Sequence, residues 1–295
     1  MNLRQLLKGT GTAIVTPFNQ QEVDYASLEA LIEFNISNGV EYIVTLGTTG
    51  ETPTLSKEEK KQVAKFTVEK VNGRVPIVIG IGGNNSKEIA NQLLHDDLSD
   101  YSAILSVSPY YNKPSQQGIY EHYKLLADHS PKPIILYNVP GRTGSNISAE
   151  TTIRLARDCE KIGGIKEASG NLVQCMHILA DRPDDFLVVS GDDHIALPLI
   201  ACGGEGVISV IANCFPADFS ELIRMALRND FPGAQKLQYK LLDAIDHLFA
   251  ENNPAGVKCF LAEMGLIKNE FRLPVVPVSE FLHNKITSFL KNYKS

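Results

Sequence analysis

The stretch Gly163-Gly164-Ile165-Lys166-Glu167-Ala168-Ser169-Gly170 ends a short apolar run on a lysine. An ammonium in a protein interior is costly unless it is paired or neutralised. Read alone, Lys166 simply closes a strand and reaches solvent, as most lysines do. The rest of the chain favours another reading. An earlier run ends in Tyr137-Asn138-Val139-Pro140 and leads into Gly141-Arg142-Thr143-Gly144, and Gly47-Thr48-Thr49-Gly50-Glu51 sets two hydroxyls between glycines. Side chains alternate along a strand, so Tyr137 shares a face with Ile135, and Lys166 with Gly164. If both faces look inward from neighbouring strands, the phenol and the amine stand about 4.8 Å apart at similar height. Gly164 would then leave room for the lysine stem.

An amine nucleophile must be unprotonated. A lysine ordinarily titrates near 10.4, and burial with suitable neighbours brings such an amine to about 7–8. An amine beside a phenol, with hydroxyl and backbone donors for a carboxylate in the Gly47–Glu51 stretch, suits Schiff-base chemistry on a 2-keto acid. Arg142 would hold a second carboxylate in bidentate fashion. The Gly-Thr-Thr-Gly stretch reads equally well as a plain turn when taken by itself.

Other constellations are weaker. The seven histidines show no paired ligand spacing, so no metal is expected. Asp192-Asp193-His194 reads as a cap for the helix that follows. Gly80-Ile81-Gly82-Gly83-Asn84-Asn85 fits neither a P-loop nor a dinucleotide fingerprint, and no G-x-S-x-G elbow is present.

The elements that must position these residues follow from the apolar pattern. Short runs fall at Thr12–Val15, Tyr42–Leu46, Val75–Ile79, Ala103–Val107, Pro133–Tyr137, Ile162–Lys166, Phe186–Ser190 and Gly206–Val210. Runs this short and this apolar suit parallel strands covered on both faces, and their spacing allows one βα unit each. Helix signals lie between them: Ser56 with Glu59 forms a capping box, Ser148 can cap the segment with Ile153 and Leu155, and Ile89, Ala90, Leu93 and Leu94 make one stripe. Eight alternations predict a (β/α)8 TIM barrel over residues 1–230, whose working face is the carboxyl end of the strands. Phe231-Pro232 reads as a break. Residues 231–295 are expected to be helices packed on the barrel, one of them opened by Asn253 and Pro254 as cap and first turn.

The 295 residues carry a formal net charge of −6, which gives no support to a nucleic-acid partner. Five scattered cysteines without a C-x-x-C pair fit a reducing compartment. The first residues lack the apolar core of a signal peptide, and no run is long enough to span a membrane. A soluble, cytoplasmic protein is expected.

In combination the motifs resemble the dihydrodipicolinate synthase family, within the N-acetylneuraminate lyase superfamily of pyruvate-dependent class I aldolases. The pieces are Gly11-Thr12-Ala13 with Thr16-Pro17-Phe18, Gly47-Thr48-Thr49-Gly50-Glu51, Tyr110-Tyr111-Asn112-Lys113-Pro114, Tyr137-Asn138-Val139-Pro140 with Arg142-Thr143-Gly144, Gly164-Ile165-Lys166-Glu167, Ser190-Gly191-Asp192-Asp193, and Gly206-Val207-Ile208-Ser209-Val210. They run in order over essentially the whole chain. The resemblance implies that Lys166 forms an imine and then an enamine with pyruvate, without a cofactor, and that the enamine attacks aspartate 4-semialdehyde on the way to diaminopimelate and lysine. It implies Tyr137 as proton donor and acceptor, and Thr48 and Tyr111 as a proton relay, Tyr111 crossing from the partner subunit of a tight dimer. Thr49 and Ile208 would contact pyruvate, Gly191 would line its pocket, and Arg142 would bind the semialdehyde's carboxylate. The usual assembly is a homotetramer, a dimer of dimers.

Two departures stand out. Asp97–Ser102 replaces the family's usual Gly-Ala-Asp turn before the fourth strand, on the side away from the chemistry. Asn84, Glu88 and Tyr110 match residues that hold an inhibitory lysine in sensitive members, but Lys57 and Lys60 stand where those members often carry histidines, so lysine inhibition is expected to be weak or absent. Two other readings are a pyruvate aldolase acting on a sugar-derived 2-keto acid, against which Arg142 argues, and a non-catalytic barrel that binds keto acids, against which the set Lys166, Tyr137, Thr48 and Tyr111 argues.

Overall fold

The computed structural model of the chain describes residues 2–293. Its eight parallel strands are β1 (Gly9–Ala13), β2 (Tyr42–Thr45), β3 (Ile77–Gly80), β4 (Ala103–Val107), β5 (Ile134–Asn138), β6 (Ile162–Glu167), β7 (Leu187–Ser190) and β8 (Gly206–Ser209). They close into one barrel in sequence order, with a helical segment after each strand. The expected (β/α)8 fold is therefore found. β4 lies where the apolar run ends it, and six other strands differ from expectation by one or two residues at an end. β1 differs by more, beginning at Gly9 rather than Thr12. Gly-Thr-Gly-Thr does not look apolar, yet every residue of β1 is buried. Gly11 is glycine because a Cβ there would lie 2.0 Å from the Tyr42 ring on the paired strand. A short antiparallel hairpin, Phe18–Asn19 with Glu22–Val23, has no counterpart in the sequence reading.

The chain divides into two compact units. The first holds the residues up to Gly9 and Pro76–Ile208. Its helices Ser86–His95, Gln116–His129, Ala149–Asp158 and Leu172–Asp181 each begin with an Asn or Ser side chain accepting a backbone N–H of the first turn, which satisfies a donor the helix itself cannot pair. The expected cap at Ser148 is among them. Between β5 and β6 the register slips by one residue near Ile134, with Gly163 as the extra residue. A one-residue slip reverses the side-chain faces that follow, so this bulge fixes which way Lys166 points. At the amino end of this unit, buried Glu205 accepts from Arg4 at 2.8 Å and from Arg182 at 2.6 Å.

The second unit holds Thr10–Val75 and the chain from Ser209 onward. The Ser56–Glu59 capping box is present on the helix Lys57–Val71, and Glu59 also pairs with Arg272 at 2.6 Å. The segment Phe231-Pro232 does not break the chain. It opens the helix Phe231–Phe249 behind the cap Asp230, since proline is tolerated in a first turn whose N–H groups have no partner. Asn253 does not cap the next helix, Ala255–Glu263; Pro254 occupies that position and no side chain caps it. The last helix, Glu280–Tyr293, brings Phe289 and Tyr293 against Phe215. Among the described residues, no helix is long and apolar enough to cross a membrane.

Candidate active site

Tyr137 and Lys166 are direct partners in the β5–β6 register, as are their successors Asn138 and Glu167. Alternation then sends the two pairs to opposite sides of the sheet. Lys166 is 5% exposed and Tyr137 6%, and the lysine Nζ lies 4.4 Å from the centroid of the phenol ring. The phenol and amine expected on neighbouring strands are thus together and sheltered.

The space for the lysine stem comes from a different glycine than expected. A Cβ on Gly164 would strike β7, 2.7 Å from the Leu187 Cβ and 2.8 Å from its carbonyl oxygen. That glycine serves the close approach of two strands. A Cβ on Gly191 would lie 2.8 Å from the Lys166 Cε and 3.0 Å from its Cγ, so Gly191 is the residue that accommodates the stem. Its own N–H donates to the Glu167 carbonyl at 2.7 Å, which ties the end of β7 to β6.

Behind this pair is a polar network that the sequence reading missed. The fully buried Glu167 carboxylate accepts from Asn138 Nδ2 at 2.9 Å, from Gln174 Nε2 at 2.8 Å and from the Ser169 N–H at 2.7 Å. Asn138 Nδ2 also donates to Asn146 Oδ1 at 2.7 Å, while its Oδ1 accepts from the Ile147 N–H at 2.9 Å. A buried carboxylate is tolerated only when its lone pairs are filled. Filling them here locks the ends of β5 and β6 and the loop 139–147 to one another. An asparagine ending β5 and a glutamate ending β6 directly after Lys166 were the available signal.

That loop carries Arg142, exposed on the short helix Pro140–Thr143. The Thr143 carbonyl accepts from the Tyr111 N–H at 3.2 Å, joining the loop to the segment after β4. Tyr111 is 90% exposed with φ +69°, a backbone state that non-glycine residues rarely adopt, and it is held away from its own chain's core. Ile208 is buried near the end of β8.

Thr48 and Thr49 belong to the second unit, in a single turn of 3-10 helix beyond β2. Thr49 is buried and Thr48 half-buried. Of the residues considered for lysine binding, Asn84 and Tyr110 meet, the Asn84 Oδ1 accepting from the Tyr110 N–H at 2.8 Å. Glu88 is exposed in the first turn of Ser86–His95. Lys57 and Lys60 lie in the first turn or so of Lys57–Val71, in the second unit.

Asp192-Asp193-His194 does not cap the next helix, which begins at Ala196 behind Ile195. Asp192 Oδ1 instead accepts from the His194 N–H at 3.0 Å and meets its Nδ1 at 3.2 Å. The imidazole offsets the burial of Asp192 and leaves its carboxyl below the usual range. Among the described residues no group of three or more His, Cys, Asp and Glu is arranged to hold a metal ion. What the geometry offers is a sheltered primary amine over a phenol, with an exposed guanidinium on an adjoining, tightly anchored loop. An amine so held can add to a carbonyl.

The profile of the dihydrodipicolinate synthetase family matches residues 6–293. The 4-hydroxy-tetrahydrodipicolinate synthase of Flavobacterium psychrophilum is 50% identical over 288 residues, covering 97% of this chain and 98% of that protein. Among solved structures, a monomeric dihydrodipicolinate synthase variant superposes with a TM-score of 0.96 at 38% identity, covering 99% of each chain. The chloride-inhibited dihydrodipicolinate synthase from Acinetobacter baumannii, complexed with pyruvate, gives a TM-score of 0.94 at 41% identity over 98% of this chain and 99% of that one.

Proposed function

The chain belongs to the dihydrodipicolinate synthetase family, and from that premise we propose that it condenses pyruvate with aspartate 4-semialdehyde to 4-hydroxy-tetrahydrodipicolinate, the committed step toward diaminopimelate and lysine. The observation that carries the mechanism is the register pairing of Tyr137 with Lys166, the amine 4.4 Å from the ring centroid. Lys166 Nζ adds to C2 of pyruvate, and loss of water gives the imine. Loss of a C3 proton gives the enamine, whose C3 attacks the aldehyde carbon of the semialdehyde. The amine of the semialdehyde then attacks C2 of the imine and expels the Lys166 amine as the product ring closes, so the water lost in forming the imine is the only one released.

In this reading Tyr137 donates and takes back the protons, and Thr48 and Tyr111 relay them. Thr49 offers its hydroxyl to the keto acid's carboxylate, Ile208 packs on pyruvate, and Gly191 keeps the lysine stem in place. Arg142 receives the semialdehyde's carboxylate, which selects this electrophile over a neutral sugar-derived one. Tyr111, too exposed to serve its own subunit, acts from a partner copy, and the working assembly is a homotetramer built from such dimers. The enzyme is read as cytoplasmic, where its substrates are made.

Borohydride reduction in the presence of pyruvate, followed by intact mass and peptide mapping, tests the covalent step. The expected result is one reduced pyruvyl adduct, on Lys166. No adduct, or one on another lysine, would sink the mechanism.

A further inference from the structure

The turn that carries Thr48 and Thr49 is anchored from a distant part of its own unit. Asn253 Nδ2 donates to Thr49 Oγ1 at 2.9 Å, with both side chains buried. Two residues on, Glu51 has φ +52° and pairs with Lys258 of the helix Ala255–Glu263, both residues being buried. The Lys258 ammonium also donates to the Glu270 carbonyl at 3.1 Å and lies 4.2 Å from the centre of the Phe18 ring. Thr16 Oγ1 donates to the Gly50 carbonyl at 2.8 Å, and Thr52 Oγ1 to that of Gly47 at 2.8 Å. A buried ion pair adds little net stability yet is costly to break on one side, so its effect here is to hold the turn in one place.

We propose that Asn253 is a positioning residue that sets the direction of the Thr49 hydroxyl. A threonine oxygen has one proton to give and two lone pairs to fill. The Asn253 amide fills one lone pair, and this leaves the O–H free to be donated. A hydroxyl so arranged is a donor toward a carboxylate, whereas one that gave its proton to Asn253 would turn a lone pair toward the anion. The Lys258–Glu51 pair keeps the turn from moving out of reach of the amide. This proposal rests on the reading that Thr49 faces the carboxylate of the keto acid.

The test is Asn253→Asp, which replaces the donor by an acceptor at unchanged volume and would draw the Thr49 proton to itself. The KM for pyruvate should rise about tenfold to a hundredfold, the range of one hydrogen bond to a charged group. Turnover at saturating pyruvate should change far less, since binding rather than the chemical step is weakened. In a Thr49→Val background no proton is left to misdirect, so Asn253→Asp should then add little, and the double-mutant cycle should show strong coupling. If the aspartate variant does not fold, Asn253→Leu removes the donor without adding a charge and is read through the same cycle. An unchanged pyruvate KM, or an effect that persists undiminished beside Thr49→Val, would overturn the proposal. Borohydride trapping on the unaltered protein separates the two levels: failure there removes the keto-acid reading itself, while normal trapping with an uncoupled Asn253 removes only this inference.

Discussion

His122 is a buried imidazole that meets the Ser86 hydroxyl through Nδ1 at 2.8 Å. Burial holds its pKa down at about 4, below the ordinary 6.5. The folded protein keeps this ring neutral while the unfolded chain protonates it below 6.5. Its contribution to stability is therefore whole above pH 6.5 and is lost as pH falls toward 4. Between pH 7 and pH 5 the loss should be roughly 2 kcal/mol, at about 1.4 kcal/mol per unit. Urea unfolding at the two pH values measures it, and His122→Gln, which cannot titrate, should flatten this part of the profile. An identical pH slope in both proteins would contradict the assignment. The residue scale also shows what a sequence can and cannot display. Lys166 and Tyr137 were legible because strand alternation and position at a strand end are local properties. Asn253 was misread because Asn-Pro is a local cap signal, while its side chain is engaged with Thr49, 204 positions away. Gly191 was read as a pocket residue, and the room it leaves for the Lys166 stem exists only once β6 and β7 lie side by side.

At the scale of elements, apolar runs revealed seven strands almost to the residue, because a strand covered on both faces has to be apolar throughout. β1 was displaced because its burial is achieved with glycines and threonines. The hairpin Phe18–Asn19 with Glu22–Val23 was invisible because two residues are too few for any period. One helix carries a prediction. Lys57–Val71 begins with Lys57, and Lys60 follows within its first turn or so. The amino end of a helix carries partial positive charge, and although Glu58 and Glu59 share this turn, Glu59 is engaged by Arg272, so two ammonium groups in place of histidines oppose a cationic ligand there. Free lysine should inhibit turnover weakly or not at all. Initial rates at increasing lysine check this, and half-inhibition below about millimolar would refute it.

At the scale of the whole molecule, the question is where Tyr111 works. With 90% of its surface exposed and its backbone in a left-handed state, it is presented outward. If it serves the site of a second copy, Tyr111→Phe and Lys166→Ala variants, each nearly inactive, should complement one another. A mixed dimer would contain one site with an intact lysine and the partner's intact tyrosine. Coexpression with two different tags, followed by isolation of the doubly tagged species, should recover clear activity. A hybrid as inactive as its parents would return Tyr111 to its own subunit or remove it from the reaction. The barrel as a whole was readable from eight repeats of one pattern, because closure needs only that count and spacing. The network around Glu167 was not, because it joins two strand ends, a loop and a helix whose proximity exists only after folding.

The contact between Gly191 and the stem of Lys166 has a kinetic meaning. A free lysine side chain carries about 2 kcal/mol of rotational entropy, and bond formation at its tip would normally have to suppress that motion. Here the stem lies so near Gly191 that even a Cβ there would collide with it, so the side chain is confined on folding, before any substrate arrives. The amine then meets a carbonyl as a fixed point in space, and the encounter loses less order than it would with a mobile side chain.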